Sequence, residues 1–175
     1  MHEIGAIAFN LLFAGHETTS SAAANMFKAV LADRKLWQAI CQGEQPLGPV
    51  IEESLRLDPP VQSWRRQTTE DVVLDGISIP AGSRILLKFA AANHDPQQLP
   101  DPDAFTPGRR NVLQQVAFGA GTHFCLGAPL ARLELEVMLQ RVAARMPQLA
   151  LVPNQSFPYT PNTSFRALRQ LLVTW

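Results

Sequence analysis

The sequence of 175 residues predicts a mainly α-helical fold with a small antiparallel β component. Residues 4–32, rich in Ala, Leu and Phe, and residues 128–145 favour long helices. Between them, short apolar runs separated by Asp-Gly and Pro-Ala-Gly favour strands and a hairpin. With 46% hydrophobic residues, the chain is long enough to bury one core, so a single domain over residues 1–175 is expected.

Composition and charge narrow the class of protein. The 15 basic and 15 acidic residues cancel, which gives no reason to expect nucleic acid or an anionic membrane as partner. The apolar run over residues 4–15 is too short to span a bilayer and lacks the basic leader of a signal peptide. Two cysteines are too few for a disulfide scaffold and suit a reducing compartment. We therefore expect a cytoplasmic protein without a membrane partner, in which Cys41 is a passive thiol.

The first predicted helix, residues 4–32, carries an anomaly at its middle. The segment AGHETT, residues 14–19, places glycine, a carboxylate and two β-branched alcohols in a helix-forming stretch. The small residues let a ligand approach closely, and a threonine bonded to a carbonyl one turn back can bend the helix. Because the chain opens directly on this apolar helix without a polar cap, we expect it to be part of a longer protein.

The remaining predicted elements alternate helices with short strands. In chain order they are helices over 34–42 and 49–57, a hairpin of strands 72–74 and 77–79, a strand at 85–87, an irregular stretch over 93–110, the helix at 128–145 and short strand-like pieces in 149–175. The irregular stretch contains prolines at 96, 100, 102 and 107. Such a stretch inside a domain is usually functional or pinned by side chains.

The segment FGAGTHFCLG, residues 118–127, carries the chemistry. Gly119, Gly121 and Gly127 permit backbone angles or close approaches that a side chain would block. Cys125 precedes a predicted helix start, where unpaired amide groups and the helix dipole favour a thiolate. The glycines leave room for a flat group above the sulfur. Haem iron held by a cysteine thiolate meets all of these demands.

Other sites that use glycine-rich loops or reactive cysteines fit this segment less well. A dinucleotide loop needs a third glycine where Phe124 stands, and a phosphate loop needs Lys-Ser or Lys-Thr. A thiol protease needs a histidine with Asn or Asp in range, and His123 is expected to point elsewhere. A buried structural cysteine is the bland alternative for a lone thiol, but the three surrounding glycines favour a ligand loop.

The loop resembles the haem-binding loop of cytochrome P-450 monooxygenases, and three further segments resemble that family in the same order. AGHETT resembles the oxygen-binding stretch of the long distal helix, EESLR contains the Glu-x-x-Arg pair of the core helix, and DAFTPGRR resembles the meander. HFCLGAPLARLE is similar to soluble bacterial members. The resemblance covers essentially the whole chain. It implies a single partial domain with the C-terminal part of the family's fold, from the distal helix to the haem loop and the helix after it.

The resemblance implies a haem b cofactor and a role for each residue around it. Cys125 is expected to be the protein ligand of the iron. His123 and Arg66 match propionate-binding positions, where a cation makes a charge-assisted hydrogen bond. The alternative for Arg66 is a solvated charge at a strand edge, beside the similar Arg65. The other cofactor-binding residues are expected to be Phe118, which limits water access to the sulfur, Gly119, Gly121 and Gly127 in the loop, and Ala14 and Gly15 in the distal helix.

Glu17 and Thr18 are the catalytic candidates. In the family that the sequence resembles, an acid–alcohol pair at this place delivers protons during oxygen activation. Glu17 stands where many members have Asp, which is an ordinary variation. Without the haem loop downstream, a Thr-rich helix that only packs would be the simpler interpretation.

Glu53 and Arg56 lie three residues apart on one predicted helix face, where opposite charges can meet. Alone, such a pair is a common surface feature that stabilises little. The resemblance adds Arg109 from the meander and implies a buried Glu–Arg–Arg cluster that supports the haem loop. This role is structural and assigns no chemistry.

Substrate contacts are expected in two segments. Val61 and Trp64 follow the core helix where the family lines its pocket, and Thr163 lies in a similar turn of the tail. Trp64 either constricts this pocket or only packs.

The resemblance implies a monooxygenase that inserts one atom of O2 into a small organic substrate. Its electrons are expected from an external donor such as a ferredoxin, because the sequence carries no flavin or nicotinamide motif. A complete family member supplies its early helices and substrate lid from an N-terminal half, so such a half is an expected partner. The alternatives are a non-catalytic haem-binding remnant or module, and a helical interaction protein in which the loop occurs by chance.

Overall fold

The computed structural model describes residues 2–175, which form five α-helices and six strands. The helices are α1 (His2–Ala32), α2 (Arg34–Cys41), α3 (Leu47–Leu57), α4 (Phe89–Ala92) and α5 (Ala128–Arg145). The strands are β1 (Ser63–Gln67), β2 (Val72–Leu74), β3 (Ile77–Ile79), β4 (Arg84–Lys88), β5 (Ala150–Leu151) and β6 (Val173–Thr174). Single 3₁₀ turns cover Val112–Gln114 and Gly121–His123. The fold is therefore mainly helical, as predicted.

The core lies where the second half of α1 packs with α2, α3 and α5. Its fully buried apolar side chains include Met26, Val30, Trp37, Val50, Leu135 and Leu139. Asp33 caps α2 by accepting hydrogen bonds from the amides of Lys35 and Leu36, which fixes the sharp turn after α1. Partial burial against this core raises the pKa of the Cys41 thiol, so Cys41 stays protonated near neutral pH.

Three two-stranded antiparallel sheets lie outside this core. In the hairpin of β2 and β3, Asp75 and Gly76 have φ angles of 51° and 77°, the left-handed pair that a tight hairpin turn requires. β1 pairs with β4, and β5 pairs with β6. The predicted hairpin is confirmed, and the predicted strand at 85–87 lies within β4.

Two elements were not predicted, and one helix begins earlier than expected. β1 has the sequence SWRRQ, which shows no alternation of apolar and polar residues. Pairing with β4, and not its own pattern, makes this segment a strand. The four-residue α4 is too short to show a helical period. The helix predicted from residue 49 begins at Leu47, because proline is tolerated in a first helical turn, where amide hydrogens have no partner within the helix.

The first half of α1 and one face of α5 leave apolar side chains exposed. Phe9 and Leu12 are 68% and 72% exposed on α1, and Leu130 and Leu133 are 59% and 56% exposed on α5. Large exposed apolar side chains on two neighbouring helices mark the region to search for a site. None of the helices within residues 2–175 combines the length and the apolar character needed to cross a bilayer.

Candidate functional site

The glycine-rich loop is closed by its own backbone. Gly119 and Gly121 have φ angles of 74° and 72°, which side chains rarely adopt, so these positions require glycine. The amide of Cys125 then donates to the carbonyl of Phe118 at 3.0 Å. The two ends of the loop are thus tied together, and Cys125 stands at its end, just before α5 begins at Ala128.

The side chain of Cys125 is exposed. A Cβ atom added to Gly127 would lie 3.9 Å from Sγ, so glycine keeps that side of the sulfur clear. Phe124 and Leu126, on either side of the cysteine, are 51% and 88% exposed. The sulfur therefore lies on an accessible and largely apolar surface, next to the amino end of a helix.

An open groove of about 750 Å³ lies between the first half of α1 and the start of α5. Gly15 and Thr19 lie on one wall, and Gly127 and Leu130 lie on the other. A Cβ atom added to Gly15 would meet nothing within 4 Å, which leaves open space against α1 there. Two of the predicted cofactor-binding residues, Gly15 and Gly127, thus face the same space.

Thr18 and Glu17 lie on the same part of α1. The Thr18 hydroxyl donates to the carbonyl of Ala14 at 2.6 Å, the bond to the preceding turn that the sequence suggested. Glu17 is exposed, and His16 beside it lines the groove. The helix continues through this segment from His2 to Ala32, so the bond is accommodated without a break.

The two residues expected at the propionates are placed separately. Arg66 is exposed on β1, and its Nη1 donates to the carbonyl of Arg65 at 2.9 Å. His123 is exposed at the end of the 3₁₀ turn in the loop. Both side chains are accessible and lie on different elements, and their role at the propionates stays a prediction.

The carboxylate of Glu53 brings together the three residues of the expected cluster. Arg56 donates to both of its oxygens, at 2.8 and 2.9 Å, and both side chains are fully buried. Arg109 approaches from the meander with Nε at 3.3 Å. Glu53 also accepts the amide of Thr106, and Arg56 donates to the carbonyls of Asn93, Pro102 and Ala104. The irregular stretch predicted over 93–110 is thus pinned by side chains.

The segments expected to contact substrate also meet. Ser63 Oγ donates to the carbonyl of Thr163 at 2.7 Å, and Val61 forms an isolated β-bridge with Phe165. The ring of Trp64 meets that of Phe165 edge to face at 6.1 Å and remains 43% exposed. Trp64 therefore packs against the tail turn while keeping one side accessible.

Sequence analysis missed several residues that hold the loop. Asn93, 2% exposed, accepts the amide of Val116 at 2.8 Å, and Glu52 binds Arg132 of α5 and Gln115. The signal available for Glu52 was that apolar residues flank the segment EESLR on both sides. Such a helix is buried on every side, and a charged residue on it must be paired. Arg132 and Asn93 carry no local signal, because their partners are distant in sequence.

The accessible residues fit a haem. The Cys125 sulfur at a helix start could bind the iron, and the exposed apolar side chains around it would offer a surface for a flat macrocycle. The clear space beside Gly15, on the facing wall of the groove, suits close approach of such a group to α1.

Comparison with known proteins agrees with this class of site. The model of the family described as Cytochrome P450 matches residues 47–162, so the chain belongs to the cytochrome P450 family. Membership implies a haem cofactor and removes the possibility that the loop occurs by chance.

Two bacterial relatives and one solved structure illustrate the similarity. The chain is 40% identical over 99% of its length to the cytochrome P450 monooxygenase PikC of Streptomyces venezuelae, and 41% identical over 98% to a vitamin D(3) 25-hydroxylase of Pseudonocardia autotrophica. It spans 42% and 43% of those two proteins. The P450 heme domain of Tepidiphilus thermophilus superposes with a TM-score of 0.92 at 39% identity, over 97% of this chain and 41% of that one.

Proposed function

We propose that the chain is the haem-binding portion of a monooxygenase that inserts one atom of O2 into a small organic substrate. The observation that carries the proposal is the exposed Cys125 thiol, which lies beside Gly127 at a groove whose facing wall is the Gly15 segment of α1. The names of the relatives in Streptomyces and Pseudonocardia, a monooxygenase and a hydroxylase, support the same reaction class.

The cofactor of this proposal is haem b, which supplies the redox-active iron where O2 is activated. Cys125 binds the iron, and Phe118, half-buried beside the loop, restricts water access to the sulfur. His123 and Arg66 bind the propionates through accessible hydrogen-bond donors, and Ala14 and Gly15 leave room for the porphyrin against α1.

Thr18 and Glu17 hold and move protons in this proposal. The hydroxyl hydrogen of Thr18 is engaged by the Ala14 carbonyl, so its oxygen is free to accept a hydrogen bond from the reacting side. Glu17 is exposed one residue earlier and exchanges protons with solvent. The Thr18 oxygen can thus hold a proton donor in place on the reacting side, and Glu17 can take up protons from solvent.

Two partners complete the proposed enzyme. A ferredoxin or a similar carrier supplies electrons, and an N-terminal half covers the exposed apolar faces of α1 and α5. The chain spans only 42% and 43% of two relatives, which supports a further segment in the complete protein. We place the protein in the cytoplasm, where its two free cysteines remain reduced.

The test measures oxygen consumption, because uncoupled turnover needs no knowledge of the substrate. The chain is co-expressed with the proposed N-terminal half, loaded with haem, and supplied with NADPH, ferredoxin and ferredoxin reductase. We expect haem-dependent oxygen consumption that Cys125→Ala abolishes and Cys41→Ala leaves unchanged. A haem-loaded protein that consumes no oxygen would support the alternative of a non-catalytic haem-binding module, and a protein that binds no haem would contradict both.

A further inference from the structure

The carboxylate of Glu52 joins the chain before the Cys125 loop to the chain after it. Arg132, in the second turn of α5, donates to the two oxygens of Glu52, from Nη2 at 3.2 Å and from Nε at a shorter distance. Gln115, just before the loop, donates from Nε2 to Glu52 at 3.3 Å. The oxygen of the same Gln115 amide accepts the Ala117 amide at 2.6 Å. One side chain on α3 therefore contacts a residue that precedes the loop and a residue that follows it.

Arg132 also contacts the loop itself. Its guanidinium carbon lies 4.5 Å from the centre of the Phe118 ring, in a cation–π arrangement. Phe118 is the residue whose carbonyl accepts the Cys125 amide at 3.0 Å. A continuous series of contacts thus runs from Glu52 through Arg132 and Phe118 to the backbone of Cys125.

Burial makes the pair of Glu52 and Arg132 a fixed element of the structure. Glu52 is 8% exposed, and a carboxylate so placed needs a cation. The side chain of Arg132 is 36% exposed, so it spans from the buried carboxylate to the accessible surface of the loop. A planar guanidinium can bind a carboxylate through its edge and an aromatic ring through its face at the same time, which lysine cannot do.

We propose that Glu52 and Arg132 are positioning residues of the Cys125 loop. The pair holds the Phe118 ring, and through the Phe118 carbonyl it holds the Cys125 amide, so that the sulfur is presented at the groove. Arg132 acts through Phe118 and does not touch the sulfur. The consequence for iron ligation rests on the proposed function, whereas the order of the loop is a property of the chain with or without haem.

The chain offers a matched control pair outside the loop. Arg166 pairs with Asp58, and the side chains are 33% and 11% exposed, against 36% and 11% for Arg132 and Glu52. The Arg166 guanidinium also lies over an aromatic ring, that of Tyr159, at 3.6 Å. Replacing Arg166 removes the same kinds of interaction at a site outside the loop.

The experiment compares amide hydrogen exchange in the full chain, without haem, for Arg132→Met and Arg166→Met. We expect Arg132→Met to speed exchange of the Cys125 amide about tenfold or more relative to core amides of α1, as local opening of the loop requires. Arg166→Met should leave that ratio unchanged. An unchanged Cys125 ratio in Arg132→Met, or an equal rise in both variants, would overturn the proposal.

If Arg132→Met does not fold, Arg132→Lys tests whether Arg132 positions the loop. Lysine keeps a cation beside Glu52 but loses the two-pronged bond and the planar stacking. A smaller, local rise in Cys125 exchange supports the proposal, and an unchanged rate overturns it.

A second readout uses haem. In the reduced chain with carbon monoxide, Arg132→Met should convert part of the thiolate-type Soret band to the form without thiolate, and Arg166→Met should not. If the wild-type chain binds no haem, the proposed function fails, while the exchange experiment still decides whether the pair positions the loop.

Discussion

Glu52 and Glu53 are neighbours on α3, yet their carboxylates bind different segments of the chain. One segment precedes residues 110–114, and the other follows them. Glu53 binds Arg109 and the Thr106 amide before them, and Glu52 binds Arg132 of α5 after the Cys125 loop. Adjacent side chains on a helix point about 100° apart, so a helix buried on all sides can serve two neighbours. The core helix therefore supports both the meander and the loop.

Removing the charge of Glu53 should be among the most destabilising single changes in the chain. Glu53→Gln leaves the buried Arg56 without its anion, and breaking such a buried pair costs about 3–5 kcal/mol of unfolding free energy. Urea unfolding of the chain measures the loss. Glu136→Gln, at an exposed position of α5, is the control and should change stability by less than about 0.5 kcal/mol. Equal losses in the two variants would contradict the structural role of the cluster.

Two glycine-to-alanine changes should have opposite effects on stability. Gly121 has a φ of 72°, so Gly121→Ala should cost about 1–2 kcal/mol. Gly15 lies inside α1 with nothing within 4 Å of a Cβ atom, so Gly15→Ala should stabilise the haem-free chain by about 0.5–1 kcal/mol. Thermal unfolding checks both signs.

Haem titration should nevertheless show weaker binding for Gly15→Ala, and unchanged binding would argue against a porphyrin packed on this part of α1.

The stabilisation by Lys28 should depend on pH. Its Nζ donates to Asp58 at 2.6 Å and lies beside the Tyr159 hydroxyl. Burial alone lowers the pKa of Lys28, but hydrogen bonds to Asp58 and Tyr159 and the charge of Asp58 outweigh it, so folding raises this pKa above its ordinary 10.5. The stabilisation is therefore complete below about pH 10.5 and is lost as pH rises through the folded pKa.

Lys28→Met measures this effect directly. We expect it to lower the unfolding free energy by about 1–3 kcal/mol near neutral pH. The difference from the wild type should shrink above about pH 10.5. Urea unfolding at about pH 8 and about pH 11 gives the comparison, and a difference that stays constant would show that Lys28 acts by packing alone.

The exposed apolar faces of α1 and α5 should cause the isolated chain to associate. Leu12 is 72% exposed and lines the groove together with Leu130, so the two belong to one continuous apolar surface. Sedimentation over a range of concentrations should show self-association that Leu12→Gln weakens. Leu74→Gln, at a similarly exposed position on β2, is the control and should have the smaller effect. A monomeric wild-type chain would contradict this prediction.

Much of the fold could be predicted because it depends on local patterns. The long helices follow from their content of helix-forming residues, and the hairpin follows from Asp75-Gly76. β1 could not be predicted, because the exposed Arg65 and Arg66 in its sequence are compatible with a strand only once β4 pairs with it.

The candidate site divides in the same way. Glu53 and Arg56 could be paired from their spacing, and Cys125 could be singled out from the glycines around it. The contact of Glu52 with Arg132 joins residues 80 positions apart, and nothing local marks it. Physical chemistry states that a buried carboxylate needs a partner, but only the packed structure identifies which arginine reaches it.

The central claim is that the sulfur of Cys125 binds haem iron. Its most direct test is the absorption spectrum of the chain, loaded with haem, reduced and exposed to carbon monoxide. The wild-type chain and Cys41→Ser should show the thiolate-type Soret band, and Cys125→Ser should lack it. A wild-type spectrum without that band, or an identical spectrum for Cys125→Ser, would contradict the claim.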